Sequence, residues 1–454
     1  MTWSVDSWKA RLCAQQIRYD DAAGVEAAVA KLRRLPPLVT SWEIERLKKL
    51  VAEAQMGKRF LLQGGDCAET LADCQPDIIT NKLKILLQMS LVLVHAGKMP
   101  VVRVGRLAGQ YAKPRSKLTE ERDGVVLPSY FGDLVNRPDF TPEARHADPR
   151  AMVDAYGHAA LTLNFMRSLS AAGFADLHHP EYWDLAFLSR ADLPVELREE
   201  YTQASQRLAE ALHFMEALGE TTIDDATRVE FYTSHEGLNL HYESAQTRAV
   251  PRRKGYYLLT THLPWIGERT RAVDGAHVEL FRGIENVVGI KIGPKVDPAD
   301  ALSLIERLNP NNEVGKIVVI TRMGSAHVAR ALPPLVDAVR RAERHVLWVC
   351  DPMHGNTIST ASSIKTRSFD DILFEIEQTF GVHHDCGTFL GGVHFELTGE
   401  DVTECIGGGL TEEDLDRNYA SVCDPRLNYR QALEMAFRVG QWMKRNRPRP
   451  TSPP

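Results

Sequence analysis

The sequence predicts an α/β fold: eight strand–helix units closed into a parallel barrel, with a helical extension at the N-terminus and an inserted helical pair. Three observations carry this. Short β-rich runs alternate with helical stretches along most of the chain, the pattern of a parallel sheet with helical crossovers. Eight such runs are present, the strand number of a (β/α)8 barrel of the TIM type. A polar, mostly Gly-containing segment follows each run, and in a closed barrel these segments converge on the C-terminal rim, where active sites of this fold lie. An open doubly wound sheet shares the local signature.

The elements follow in order. Residues 1–57 read as a helical extension. An amphipathic run covers 25–35, Pro36 and Pro37 end it, and Thr40 with Glu43 makes a capping box for a helix over 42–55. The strands are expected at 59–63, 99–104, 229–233, 260–265, 287–292, 316–321, 345–349 and 392–397. The interval 111–228 is too long for one crossover. Helical periodicity over 194–218 places the inserted pair at roughly 180–220, as an interaction surface or as extra barrel packing. Residues 445–454 (RNRPRPTSPP) form a Pro-rich tail expected to fray. The whole of 1–454 reads as one catalytic domain with these additions.

Composition narrows the classes. The 454 residues are 44% hydrophobic and 25% charged, which excludes collagen, low-complexity scaffolds and wholesale disorder. Lys and Arg number 54 against 60 Asp and Glu, a net charge of −6. This excludes a general nucleic-acid binder but leaves anionic small molecules, which need only a local cluster of cations. The first eleven residues carry Trp3, Asp6, Trp8, Lys9 and Arg11, so no signal peptide is read. No window holds 18 uninterrupted apolar residues, and no membrane-spanning helix is expected. Seven cysteines, an odd and modest number, suit a reducing cytoplasm better than a disulfide framework.

Two constellations carry chemistry. Cys67, His354, Glu396 and Asp424 each fall on a loop after a strand or late in the chain. A sulfur, an imidazole and two carboxylates suit a divalent ion such as Mn²⁺, Fe²⁺, Co²⁺ or Zn²⁺. Cys67 as a small buried residue and His354 as a loop hydrogen-bonder fit the spacing equally well. His394 shares a strand face with Glu396 and is read as a buried, hydrogen-bonded histidine rather than a ligand. Arg106, Lys113, Arg115, Arg269, Lys291 and Arg322 form the second set, all at or just past strand ends. Their cations suit phosphate and carboxylate groups, and Lys113-Pro114-Arg115-Ser116 reads as a phosphate cradle. Glu268 is expected beside Arg269, which would keep it ionised, and burial among cations would lower the pKa of Lys291. No G-x-G-x-x-G follows a strand and no P-loop is present.

The motifs themselves resemble a known family. QGGDCAE at 63–69, GQYAKPRS at 109–116, WIGERT at 265–270, KIGP at 291–294, TRMG at 321–324, DPMHGNT at 351–357, ELTGE and TEC over 396–405 and CDPRLN at 423–428 are similar to class II 3-deoxy-D-arabino-heptulosonate 7-phosphate (DAHP) synthases. The resemblance runs in order over nearly the whole chain. It implies a (β/α)8 barrel and a metal held by Cys67, His354, Glu396 and Asp424, with Mn²⁺ or Co²⁺ foremost and Zn²⁺, Cd²⁺ or Fe²⁺ as alternatives. It implies phosphoenolpyruvate on Arg106, Glu268, Arg269, Lys291 and Arg322, and erythrose 4-phosphate on Lys113, Arg115 and Ser116. Lys291 is then the expected acid near the enolpyruvyl group, Glu268 the residue that orients water, and Lys113 a third catalytic group. Cys423 precedes Asp424, so it is expected near Cys67, where an oxidative disulfide would eject the metal.

The resemblance also implies a homodimer or homotetramer, and regulation through the insertion or by a chorismate mutase partner. The short N-terminal lead puts N-terminal effector sites in doubt, as in a form serving secondary metabolism. Two alternatives compete: a synthase condensing phosphoenolpyruvate with another aldose phosphate, and a non-catalytic barrel that activates a partner enzyme. The second predicts lost ligands, and all are present. A metal hydrolase lacks support because the H-x-H strand motif is absent.

Overall fold

In the computed structural model, residues 2–171, 195, 198–199, 202–203 and 230–446 are described. The expected helical pair at roughly 180–220 lies almost wholly outside these residues, as does 447–454 of the tail. Eight parallel strands close into a barrel: β1 (Phe60–Gly65), β2 (Val101–Arg106), β3 (Phe231–Glu236), β4 (Leu263–Ile266), β5 (Val288–Ile292), β6 (Ile317–Thr321), β7 (Leu347–Cys350) and β8 (Gly392–Glu396). Each pairs with its sequence neighbours, and β8 closes on β1. The fold is a (β/α)8 barrel. Runs such as VGIKI and IVVIT are apolar almost throughout because barrel strands are buried on both faces.

All eight strands lie at their expected places. β1, β2 and β3 run two or three residues further than their β-rich runs, because pairing continues through Gly64, Gly65, Gly105 and the polar residues after them. The extension of β2 matters, since Arg106 becomes its last residue, as Glu396 is of β8.

The helical lead closes the other end of the barrel. Helix α1 spans Ala22–Arg34 and α2 spans Ser41–Gln55. Thr40 and Glu43 make the expected capping box. Leu47, Val51 and Ala54 of α2 share one core with Leu61, Val102, Val318, Leu347 and other barrel-interior residues. Gly315 allows this approach: it has φ +82°, and a Cβ there would lie 2.3 Å from the Lys48 carbonyl.

Helix α3 (Pro76–Gly97) packs against the late helix Tyr429–Arg445, and a Cβ on Gly440 would stand 2.7 Å from Ala96 Cβ. Among the described residues α3 is the one helix long and apolar enough, by length and composition, to cross a membrane. It is largely buried within the barrel assembly, as a core helix is. Helix α4 (Ala151–Ala171) lies in the long interval after β2, behind an antiparallel hairpin of Thr119–Arg122 with Val125–Pro128.

Thr40→Ala removes the Oγ1 acceptor for the Glu43 N–H and is expected to lower unfolding free energy by about 1 kcal/mol. Chemical denaturation of both proteins, followed by far-ultraviolet circular dichroism, measures it.

Candidate active site

The strand ends open into one cavity of about 800 Å³. Ten of the twelve residues expected from the sequence line it: Arg106, Lys113, Arg115, Ser116, Glu268, Arg269, Lys291, Arg322, His354 and Asp424. The other two, Cys67 and Glu396, are fully buried and touch Lys113 from below.

Strand register creates the deepest contact. Gly65 of β1 lies level with Glu396 on β8 and with Arg106 on β2. It has φ +144°, and a Cβ there would come within 2.7 Å of the Arg106 carbonyl. With glycine between them, the Arg106 and Glu396 side chains meet at 2.9 Å. Arg367 approaches the other Glu396 oxygen at 2.8 Å, and His354 Nε2 lies 3.0 Å from Oε1. Burial opposes ionisation of Glu396, but His354, Lys113, Arg367 and Arg106 together hold its carboxyl well below the usual range.

Cys67, Glu396 and Asp424 bring their donor atoms within 4.8 Å of one another. The Lys113 ammonium stands among them, 2.7 Å from Cys67 Sγ, 2.9 Å from Asp424 Oδ2 and 3.7 Å from Glu396 Oε1. The cluster therefore already holds a positive charge. Burial and the neighbouring Cys423, Glu396 and Asp424 push the Cys67 thiol well up, so its thiolate requires a cation beside it. Soft sulfur, imidazole and two carboxylates are a donor set that suits a mid-series divalent ion, and these residues fit one. His354 reaches the cluster through Glu396. Its Nδ1 is held by Asp351 Oδ2 at 2.8 Å, which leaves Nε2 to face the donors, as outer carboxylates orient metal-binding imidazoles.

His394 is buried and is absent from the donor cluster. Its Nε2 lies 2.6 Å from Arg106 Nη1, and a guanidinium only donates, so the ring is neutral with its proton on Nδ1. Nδ1 has no partner among the described residues, so only half of the expected hydrogen bonding is present.

The cations divide into two groups. Arg106 and Lys291 stand over the buried Trp265 ring, 5.2 and 5.4 Å from its centroid. Lys291 Nζ donates to Asp351 at 2.8 Å, and Arg322 donates to the His354 carbonyl at 2.6 Å. Burial pushes the Lys291 ammonium down, as expected, although Asp351 opposes it. In the second group Arg269 donates to Ser116 Oγ at 2.8 Å, and Arg115 pairs with Glu120 at 2.9 Å. Arg269 thus stands with the Lys113–Ser116 segment rather than with Arg106.

Glu268 departs from the expected pairing. Its partners are Arg271 at 3.0 Å and the Gly293 backbone N–H at 2.7 Å, not Arg269. Adjacent residues in a tight turn point apart, whereas the residue three further on folds back. Cys423 lies against Cys67, and both are free thiols.

Four residues at the site escaped the sequence reading. Asp351 and Trp265 sit inside quoted motifs without an assigned role. Glu236 ends β3 and lines the cavity with a buried oxygen that has no partner among the described residues. Arg367 comes from a hairpin strand with no motif of its own.

The model of the Class-II DAHP synthetase family matches residues 3–440. The chain belongs to that family. A phospho-2-dehydro-3-deoxyheptonate aldolase of Neurospora crassa is 46% identical, covering 98% of this chain and 95% of the relative. One from Streptomyces coelicolor is 46% identical over 96% of each chain. The aldolase AroG of Mycolicibacterium smegmatis is 43% identical, over 97% of this chain and 94% of that one. Among class-II DAHP synthetases, then, this one places a thiol, two carboxylates and an imidazole at the floor of a cation-lined cavity.

Co²⁺ added to the reduced protein is expected to produce a thiolate-to-cobalt charge-transfer absorption. Cys67→Ser is expected to abolish it. Cobalt binding by the unaltered protein without that band would refute ligation by Cys67.

Proposed function

We propose that the chain condenses phosphoenolpyruvate with D-erythrose 4-phosphate and water to give DAHP and inorganic phosphate, the first step of the shikimate pathway. One observation supports this beyond the family: two groups of cations line a single cavity with His354 and Asp424, and Lys113 joins it to Cys67 and Glu396 buried beneath. A reaction joining two phosphorylated molecules needs two anion sites that meet at the bond being made.

In this reading Arg106, Lys291 and Arg322 hold the phosphate and carboxylate of phosphoenolpyruvate, with Glu268 and Arg269 at its edge. Lys113, Arg115 and Ser116 take the erythrose 4-phosphate end, where Arg269 also stands through its bond to Ser116 Oγ. Glu120 pairs with Arg115, so a phosphate on Arg115 would share that guanidinium with the carboxylate or displace it. Cys67, His354, Glu396 and Asp424 would hold a divalent metal, Mn²⁺ or Co²⁺ foremost. When bound, the metal supplies Lewis acidity toward the aldehyde oxygen.

The chain's own residues then do the following. They align the C3 carbon of phosphoenolpyruvate with the aldehyde carbon, and the new C–C bond forms there. The aldehyde oxygen gains a proton and becomes a hydroxyl. Positive charge at the enol C2 is met by water, which Glu268 orients from its anchor on Arg271 and the Gly293 N–H. Loss of a proton leaves a phosphohemiketal, whose C2–O bond to phosphate breaks to give the keto product. Lys291 serves as the acid: burial lowers its hold on the proton, and Asp351 fixes its direction. Most of the rate enhancement is positioning and preset charge.

The seven free cysteines support a cytoplasmic setting. The resemblance further implies a homodimer or homotetramer with a chorismate mutase partner. Light scattering of the chain, alone and mixed with a chorismate mutase, tests both.

Phosphate release is expected to require both substrates and to stop with EDTA. Lys291→Met is expected to lower kcat by about 100-fold or more, the usual worth of one acid–base group. Release from phosphoenolpyruvate alone, or full turnover in chelator, would overturn the proposal.

A further inference from the structure

Two of the loops that carry the site are braced by a residue that does not touch the cavity. Helix Phe369–Asp385 runs outside the barrel, and Glu375 in its middle is 1% exposed. Glu375 Oε1 accepts from the backbone N–H groups of Met323 at 2.8 Å and Gly324 at 2.9 Å, the two residues after Arg322. Its Oε2 accepts from Asn356 Nδ2 at 2.7 Å, two residues after His354. Asn356 also donates to the Pro352 carbonyl at 2.8 Å and accepts from the Ser325 N–H at 2.8 Å. The two loops touch directly: a Cβ on Gly355 would lie 2.4 Å from Gly324 N. Arg322 itself donates to the His354 carbonyl.

We propose that Glu375 is a positioning residue that fixes the Arg322 loop and the His354 loop against each other, so that one buried carboxylate sets the geometry of phosphoenolpyruvate binding and metal ligation together. The proposal rests on the roles given above to Arg322 and His354. Three N–H donors converge on two oxygens, and only a carboxylate accepts at both. An apolar residue would leave three buried donors without partners. Burial and the Asp351 charge push the Glu375 carboxyl up to about 8, against the three donors that favour its anion, so the variants below are compared above that pH, where the anion prevails.

The decisive variant is Glu375→Gln. It keeps an oxygen for Met323 and Gly324 but turns an NH₂ group toward the NH₂ of Asn356. The conflict therefore falls on the His354 side. Co²⁺ affinity, measured by competition with a chromophoric chelator, is expected to fall about tenfold or more, the usual effect of losing an outer partner of a metal ligand. KM for phosphoenolpyruvate is expected to rise less, since the Arg322 loop keeps its acceptor. Glu375→Gln combined with Asn356→Asp restores a donor–acceptor pair and is expected to regain part of the Co²⁺ affinity.

A residue that merely supports the fold would lower the melting temperature without this split or this rescue. Unchanged Co²⁺ affinity in folded Glu375→Gln, or no regain in the double variant, overturns the proposal. Should Glu375→Gln fail to fold, Asn356→Asp alone sets two carboxylates face to face, and unchanged Co²⁺ affinity there overturns it equally. The cobalt measurement needs no substrate. Absence of phosphate release from the unaltered enzyme would instead overturn the function proposed above.

Discussion

Glu396 is a carboxylate with no exposed surface, and the rim of the barrel is arranged around its charge. Three cationic side chains and an imidazole from distant parts of the chain converge on it: Arg106 from β2, Lys113 from the loop that follows, Arg367 from a hairpin, and His354 after β7. Losing any one leaves a buried charge less compensated, which a folded protein tolerates poorly. The arrangement begins with register. Gly65 lies level with Arg106 and Glu396 and leaves the gap that lets them meet.

Around this centre one device recurs: a buried carboxylate that collects the backbone N–H groups of a rim loop. Glu69 accepts from Ala108, Gly109 and Gln110, just before Lys113. Glu404 accepts from Ala420, Ser421 and Arg426, on either side of Cys423 and Asp424. Glu375 does the same for the loop after β6 and, through Asn356, for the loop after β7. Loops buried at a rim have backbone donors that neither sheet nor water satisfies, and each needs an acceptor. A carboxylate meets that need and adds charge. Arg426 then joins two such loops, pairing with Glu404 at 2.8 Å and with Asp66 at 2.6 Å.

Much of this was legible in the sequence because barrel strands put chemistry directly after β-rich runs. Arg106, Lys291, Arg322 and His354 were found that way, and the barrel was legible from eight runs with polar segments after them, whereas the alternation alone fits an open doubly wound sheet equally. What was not legible depends on contacts far apart in the chain. Glu268 pairs with Arg271 instead of its neighbour, a matter of turn geometry rather than proximity in sequence. Arg367 and Asp351 gain their meaning only when Glu396 and His354 lie beside them. Glu375 did leave a trace: it falls with Ile372, Ile376 and Thr379 on the buried face of its helix, where an acidic residue calls for a partner. The early ends assigned to β1, β2 and β3 have one cause, since glycine and polar residues weaken a β-rich run without ending the pairing.

The account's central claim is that a buried donor cluster, held at present by the Lys113 ammonium, is the seat of a divalent metal beside the substrate cations. A crystal structure with Mn²⁺ and phosphoenolpyruvate, using the anomalous signal of manganese, tests it most directly. The account predicts one strong peak within bonding distance of Cys67, His354, Glu396 and Asp424, with the Lys113 ammonium moved off the thiol. A peak elsewhere in the protein, with Lys113 still seated among Cys67, Asp424 and Glu396, would contradict it.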